Sequence, residues 1–155
     1  MKQANIGIIG FGFVGSSVAY GFSPQTGFDH ATIRIYDKDK SKSTHSLGDV
    51  LNESDFIFLS VPTPSSGDGS INLSILHDVL EEVNSRGTKD GCIVLVRSTI
   101  VPGTTSIFDK KYDNLTFVFN PEFLTERSAK FDFINQSRFI LGGEPENTSR
   151  VADLF

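Results

Sequence analysis

The chain has no tryptophan, a single methionine and a single cysteine, and these scarcities narrow what it can be. One thiol, Cys92, cannot form an intramolecular disulfide, so 155 residues must be held by an apolar core. Cys92 and the three histidines, His30, His45 and His77, fall at no zinc-ligand spacing, and no structural metal is expected. Basic residues are also in short supply: 14 Lys and Arg against 19 Asp and Glu give a net charge of −5 and a pI near 5.1. Nucleic acid and anionic lipid both require clustered cations. The one basic cluster, Lys38, Lys40 and Lys42, is interrupted by Asp39. Long hydrophobic runs are missing too. The first apolar stretch, residues 6–10, is broken by glycine and far shorter than the roughly 20 residues a membrane helix needs. With no recognisable signal peptide, a cytoplasmic address is the expectation.

Phenylalanine, by contrast, is abundant at 14 residues. Phe adds apolar area without a polar group that needs a partner, so a core of Phe and aliphatic residues is expected. Runs rich in Ile, Val and Phe at 5–9, 32–36, 55–61, 92–97, 116–119 and 138–141 read as strands, largely apolar as strands covered on both faces should be. Between them, 13–22 reads as a helix. A second helix follows from the spacing of Ile71, Ile75, Leu76, Val79, Leu80 and Val83, with Ser70 or Asn72 as its cap. Further helices are expected over 102–112 and 145–155, each with a proline near its first turn. Strands alternating with helices predict an α/β protein with a doubly wound parallel sheet, a single domain over residues 1–155. Residues 62–70, rich in Pro, Gly and Ser, read as an exposed loop after a strand.

The first strand runs directly into Gly10-Phe11-Gly12-Phe13-Val14-Gly15, a G-x-G-x-x-G pattern, and then into the first helix. Placed there, the glycines form a turn whose amides and helix N-terminus face a diphosphate. Asp37 ends the second strand about 20 residues beyond Gly15, where a ribose-binding carboxylate belongs. A carboxylate at that position repels a 2′-phosphate, which favours NAD over NADP. The competing reading is a structural glycine turn with a surface Asp, and it leaves the agreement of strand, glycines, helix and acid unexplained.

Four more segments follow: Val61-Pro62-Thr63-Pro64, Arg97-Ser98-Thr99-Ile100-Val101-Pro102-Gly103-Thr104-Thr105, Asn120-Pro121-Glu122-Phe123-Leu124-Thr125-Glu126 and Arg138-Phe139-Ile140-Leu141-Gly142. In this order after a Rossmann glycine loop, the chain resembles the UDP-glucose/GDP-mannose 6-dehydrogenase family over nearly its whole length. Three of the four directly follow an expected strand, at the carboxyl edge where open α/β sheets bind ligands. The resemblance implies oxidation of a nucleotide-sugar alcohol to a uronate, with two NAD reduced and a thioester held on the enzyme. It implies that Thr63 and Thr99 line the cofactor and reaction site, and that Glu122 and Glu126 act near the nicotinamide and the attacking water. Thr99, Glu122 and Glu126 are thus the candidate catalytic residues. The candidate cofactor residues are Gly10, Phe11, Gly12, Phe13, Val14, Gly15, Asp37, Lys42, Thr63, Thr99 and Glu126. Were residues 122–126 helical, the two carboxylates, spaced i, i+4, would share one face and could share a water. As a plain acidic pair they would be a solvated face.

The chain also departs from the family pattern. The family's central helix and C-terminal sugar-binding domain, with the nucleophilic cysteine, lie beyond these residues. Cys92 precedes an apolar strand at the edge opposite the ligand site and reads as core. The stretch from Asp37 to Asp55 is too short for the usual helix and third strand, which predicts a sheet shortened after the second strand and an adenine-side wall reduced to residues 43–45. Arg97 stands where the family carries Lys, and Arg127 follows Glu126 where Gly is common. The expected role is NAD binding, incomplete for catalysis alone, with a nucleotide sugar and an oligomer or separate C-terminal half as further partners. The alternatives are a non-catalytic nucleotide-binding module and a β-hydroxyacid-type dehydrogenase fragment.

Overall fold

The computed structural model describes residues 3–155. Its five strands are β1 (Ala4–Ile9), β2 (Ala31–Tyr36), β3 (Phe56–Leu59), β4 (Ile93–Val96) and β5 (Phe117–Phe119). They are all parallel and lie in the order β2-β1-β3-β4-β5. The helices are α1 (Phe13–Gly21), α2 (Leu47–Glu53), α3 (Ser74–Arg86), α4 (Thr104–Lys111), α5 (Ala129–Asn135) and α6 (Pro145–Leu154). None is long and apolar enough to cross a membrane among the described residues.

The period-two geometry of the central strands divides the core between two faces. Ile57 and Leu59 of β3 with Val94 and Val96 of β4 face Leu47, Leu51, Leu76, Leu80 and Phe108 from α2, α3 and α4. Phe58, Ile93 and Leu95 point the other way, onto Val18, Phe133, Val151 and Leu154 from α1, α5 and α6. Both faces are covered, which is why these strands read as unbroken apolar runs. The phenylalanine core is realised around Phe22, whose ring packs on Phe28, Phe58, Phe133 and Phe155.

The strand order reverses between β1 and β3, the crossover position at which such sheets bind ligands. The expected shortening after the second strand is present, and β2 ends the sheet. Along its outer side the chain folds back on itself: Thr44 and His45 N–H both donate to the Ile35 carbonyl (3.0 and 3.1 Å), and Thr44 Oγ1 accepts from Ile35 N–H (3.1 Å). The short connection still holds a helix not foreseen from sequence. Ser46 Oγ accepts from Asp49 N–H (3.1 Å) while the Asp49 carboxylate accepts from Ser46 N–H (3.0 Å), a reciprocal cap that starts α2.

Other expectations are corrected. Residues 138–141 form no strand; the segment pairs with the sheet only at Gly142, which exchanges two backbone bonds with Phe119 in an antiparallel bridge. Phe139 is drawn instead onto Phe155, with stacked rings at 3.9 Å. Helix α3 begins at Ser74 because Ile71 bridges Ser65 and closes the preceding loop. Asn72, one of the two expected caps, accepts from Ser74 N–H (2.9 Å). Helix α5, between β5 and α6, was also unforeseen.

Phe58 is fully buried at the centre of the sheet. Phe58→Ala is expected to destabilise the fold by about 3–5 kcal/mol, measured by urea denaturation.

Candidate functional site

The three glycines of the opening turn have three different physical reasons. Gly10 has φ +91°, and a Cβ there would stand 2.5 Å from the Ser60 carbonyl oxygen at the end of β3. At Gly15 a Cβ would stand 2.1 Å from the Gly10 carbonyl oxygen, so α1 can pack on β1 only without it. Gly12 is the opposite case: a Cβ would meet nothing within 4 Å, and the open space above it is where a ligand can approach the backbone. Gly12 is also the N-cap of α1 and offers no side-chain bond. The first-turn amides of α1 are therefore left to an external acceptor, at the positive end of the helix dipole.

Asp37, at the tip of β2, turns its carboxylate onto this turn. One oxygen accepts from Phe11 N–H (2.6 Å) and the other from Asp39 N–H (2.8 Å). Ser43 Oγ bonds both main-chain groups of Asp37 (2.9 and 3.0 Å), closing the loop behind it. Each carboxylate oxygen keeps a further acceptor site. Lys42 is exposed on the 3-10 turn Lys40–Lys42, which Asp39 caps.

Beside the turn, at the crossover, lies a cavity of about 310 Å³ lined by Gly12, Phe13, Thr63, Arg97, Thr99 and Glu122, among others. The structure therefore brings Thr63, Thr99 and Glu122 together with the glycine turn. A larger cavity of about 610 Å³ lies at the opposite edge of the sheet, around Asn5, Asp55 and Lys89, away from the glycines and Asp37. Glu126 is not part of the crossover cavity. Residues 121–125 are not helical, and Glu126 opens the 3-10 turn Glu126–Ser128, in a neighbouring hollow of about 370 Å³ with Ser16, Ser17 and Lys130. The shared helix face expected for Glu122 and Glu126 is thus absent. Arg127 lines that same hollow rather than the Glu122 cavity, and Arg138 is exposed.

Sequence reasoning missed the burial of Arg97. The residue is only 2% exposed, and Nη1 donates to Asn120 Oδ1 (2.5 Å). Burial pulls its pKa down to about 10, partly opposed by the Glu122 charge. Asn120 is itself held: its N–H donates to the Val96 carbonyl (3.0 Å) and its Nδ2 to the Ile140 carbonyl (3.1 Å). Cys92 is buried at the start of β4 as expected, and burial, helped by the nearby Asp55 charge, pushes its thiol up to about 12. The chain supplies no thiolate at the cavity.

A parallel sheet, a glycine turn at a helix N-terminus and a carboxylate at the tip of the next strand define a dinucleotide-binding α/β domain. The model of the UDP-glucose/GDP-mannose dehydrogenase family, NAD binding domain, matches residues 27–155, and the chain belongs to that family. It is 34% identical over 110 residues to the UDP-glucose 6-dehydrogenase of Rickettsia conorii, an alignment that covers 68% of this chain and 25% of that protein. Among solved structures it superposes on a GDP-mannose dehydrogenase from Pseudomonas aeruginosa with a TM-score of 0.77 and 21% identity, over 96% of this chain and 43% of that one. A UDP-glucose dehydrogenase from Pyrobaculum islandicum gives 0.75 and 23%, over 97% and 43%. The chain thus spans less than half the length of these relatives.

Two of these glycines should separate in experiment. Gly15→Ala is expected to cost at least about 2 kcal/mol of stability, whereas Gly12→Ala should stay within about 0.5 kcal/mol of wild type in the same denaturation assay. Cys92 should react with a thiol reagent at pH 8 only after denaturant is added, which a spectrophotometric thiol count would record.

Proposed function

We propose that residues 1–155 form one NAD-binding domain of a nucleotide-sugar 6-dehydrogenase, incomplete for catalysis without further chain. The observation that carries this reading is the pairing of Asp37 with the glycine turn, beside an open approach at Gly12. The geometry fits the dinucleotide: the Gly12–Val14 amides would bind the diphosphate, and the Asp37 carboxylate would accept from the adenosine ribose hydroxyls. Thr63 and Thr99, across the cavity, would flank the nicotinamide end. Lys42, exposed and close to Asp37 in the chain, would serve the adenosine side, and Glu126 would act from its neighbouring hollow. Bound NAD would supply the hydride acceptor.

Within the cavity, Thr99 and Glu122 are the candidate residues for a reacting alcohol or water. Thr99 can hydrogen-bond an oxygen, and Glu122 can hold a proton taken from it. A covalent thioester step needs a thiolate, and Cys92 is buried at the wrong edge of the sheet with its thiol held protonated. The nucleophile, and with it the binding of UDP-glucose or GDP-mannose, must then come from a further domain or a partner chain. A cytoplasmic setting accords with this reading. The non-catalytic module reading shares the same missing thiolate and differs only in turnover.

Calorimetric titration of the purified chain tests the proposal. NAD should bind, NADP should bind more weakly, and Asp37→Ala should lose at least about tenfold in affinity, or about 1.4 kcal/mol. Wild-type protein that takes up no NAD would remove the basis of the reading. Incubation with NAD and either nucleotide sugar should yield no steady NADH, and sustained production by the chain alone would refute its incompleteness.

A further inference from the structure

We infer that Arg97 is a positioning residue: its side-on guanidinium fork, sealed beneath the crossover cavity, sets the direction of the Glu122 carboxylate. The inference deepens the reading of that cavity as the reacting end of the cofactor site and rests on it.

The backbone around Arg97 is fixed. Its N–H donates to the Leu59 carbonyl (3.0 Å), extending the β3–β4 pairing by one step, and Ser98 Oγ donates to the Val61 carbonyl (2.7 Å). The side chain is fixed as well. Because the Asn120 amide nitrogen is committed to Ile140, its oxygen must face the other way, and it receives Arg97 Nη1. The guanidinium carbon also lies 5.6 Å from the centre of the Phe133 ring, a favourable placement for a cation over an aromatic face.

That leaves Nε and Nη2, the two donors that point side-on from a guanidinium and match a carboxylate. Both are sealed from solvent and have no hydrogen-bond partner among the described residues. Glu122 Oε2 is in the same condition, on a residue two positions after Asn120 that lines the same cavity. Two partnerless buried donors and a partnerless buried carboxylate oxygen are each costly, and a cation and an acid that line one cavity lower that cost by facing each other. No ion pair within 4 Å joins them in this structure; the link between them is the Glu122 charge, which partly opposes the effect of burial on Arg97. A lysine at this position would be a single point charge, unable to hold Asn120 and present a fork together.

Side-chain NMR on the isotopically labelled full chain, without cofactor, tests this. Glu122→Gln should shift the Arg97 Nε–H resonance and speed its exchange with water several-fold. In the reverse direction, Arg97→Met should move the Glu122 side-chain carboxyl resonance, and Arg97→Lys should bring part of that displacement back. An unchanged Arg97 signal in Glu122→Gln would overturn the proposal, as would a Glu122 resonance indifferent to Arg97→Met in a folded variant. If Arg97→Met fails to fold, the Glu122→Gln arm decides alone. Since neither measurement uses NAD, a chain unable to bind the cofactor would leave this result standing by itself.

Discussion

The close approach of α1 to the turn below it is the constraint on which the other features depend. Gly15 touches the Gly10 carbonyl, and Gly10 touches the end of β3, so strand, turn and helix are locked at one point by the absence of two methyl groups. That contact brings the N-terminus of α1 over the crossover between β1 and β3. It also leaves Phe11 N–H facing outward to be met by the Asp37 carboxylate from β2. Three elements far apart in the chain are thereby fixed around one opening, before any ligand arrives. Binding into a site already assembled avoids much of the ordering cost that a flexible loop would incur.

Much of this was legible from residue order because its signals are local. An apolar strand, a glycine pattern, an apolar helix and an acid at the next strand's tip each follow from short-range rules, and they converge. Three of the family-like segments lie at the carboxyl edge for the same reason, since each directly follows a strand. The misreadings come from distance and context. The spacing of Glu122 and Glu126 would place them on one face only in a helix, and residues 121–125 are not one. The stretch before Gly142 has the composition of a strand, yet its Phe139 is satisfied by stacking on Phe155, and pairing is confined to one bridge. The Ser46 and Asp49 cap was present in the sequence, but a helix as short as α2 carries too few apolar repeats to stand out. Arg97 reads as the polar end of an apolar strand. Its burial depends on Asn120, the residue that follows β5, and no periodicity announces that partner.

The distribution of chemistry over the molecule is uneven, in a way that bears on division of labour. Acid, hydroxyl and main-chain donors gather at the carboxyl edge, whereas the thiol sits at the amino edge inside apolar packing. A fold of this kind can hold and orient a dinucleotide, but it has no soft nucleophile at the opening.

The fold-back of Thr44 and His45 onto Ile35 bears on how copies of the protein behave at high concentration. An outermost strand with free amides and carbonyls is a template for a foreign strand, and a shortened sheet moves that hazard inward to β2. By consuming both main-chain groups of Ile35 within the same chain, the loop interrupts any intermolecular ladder partway along β2. The connection that made the sheet narrower therefore also guards its new rim against aggregation.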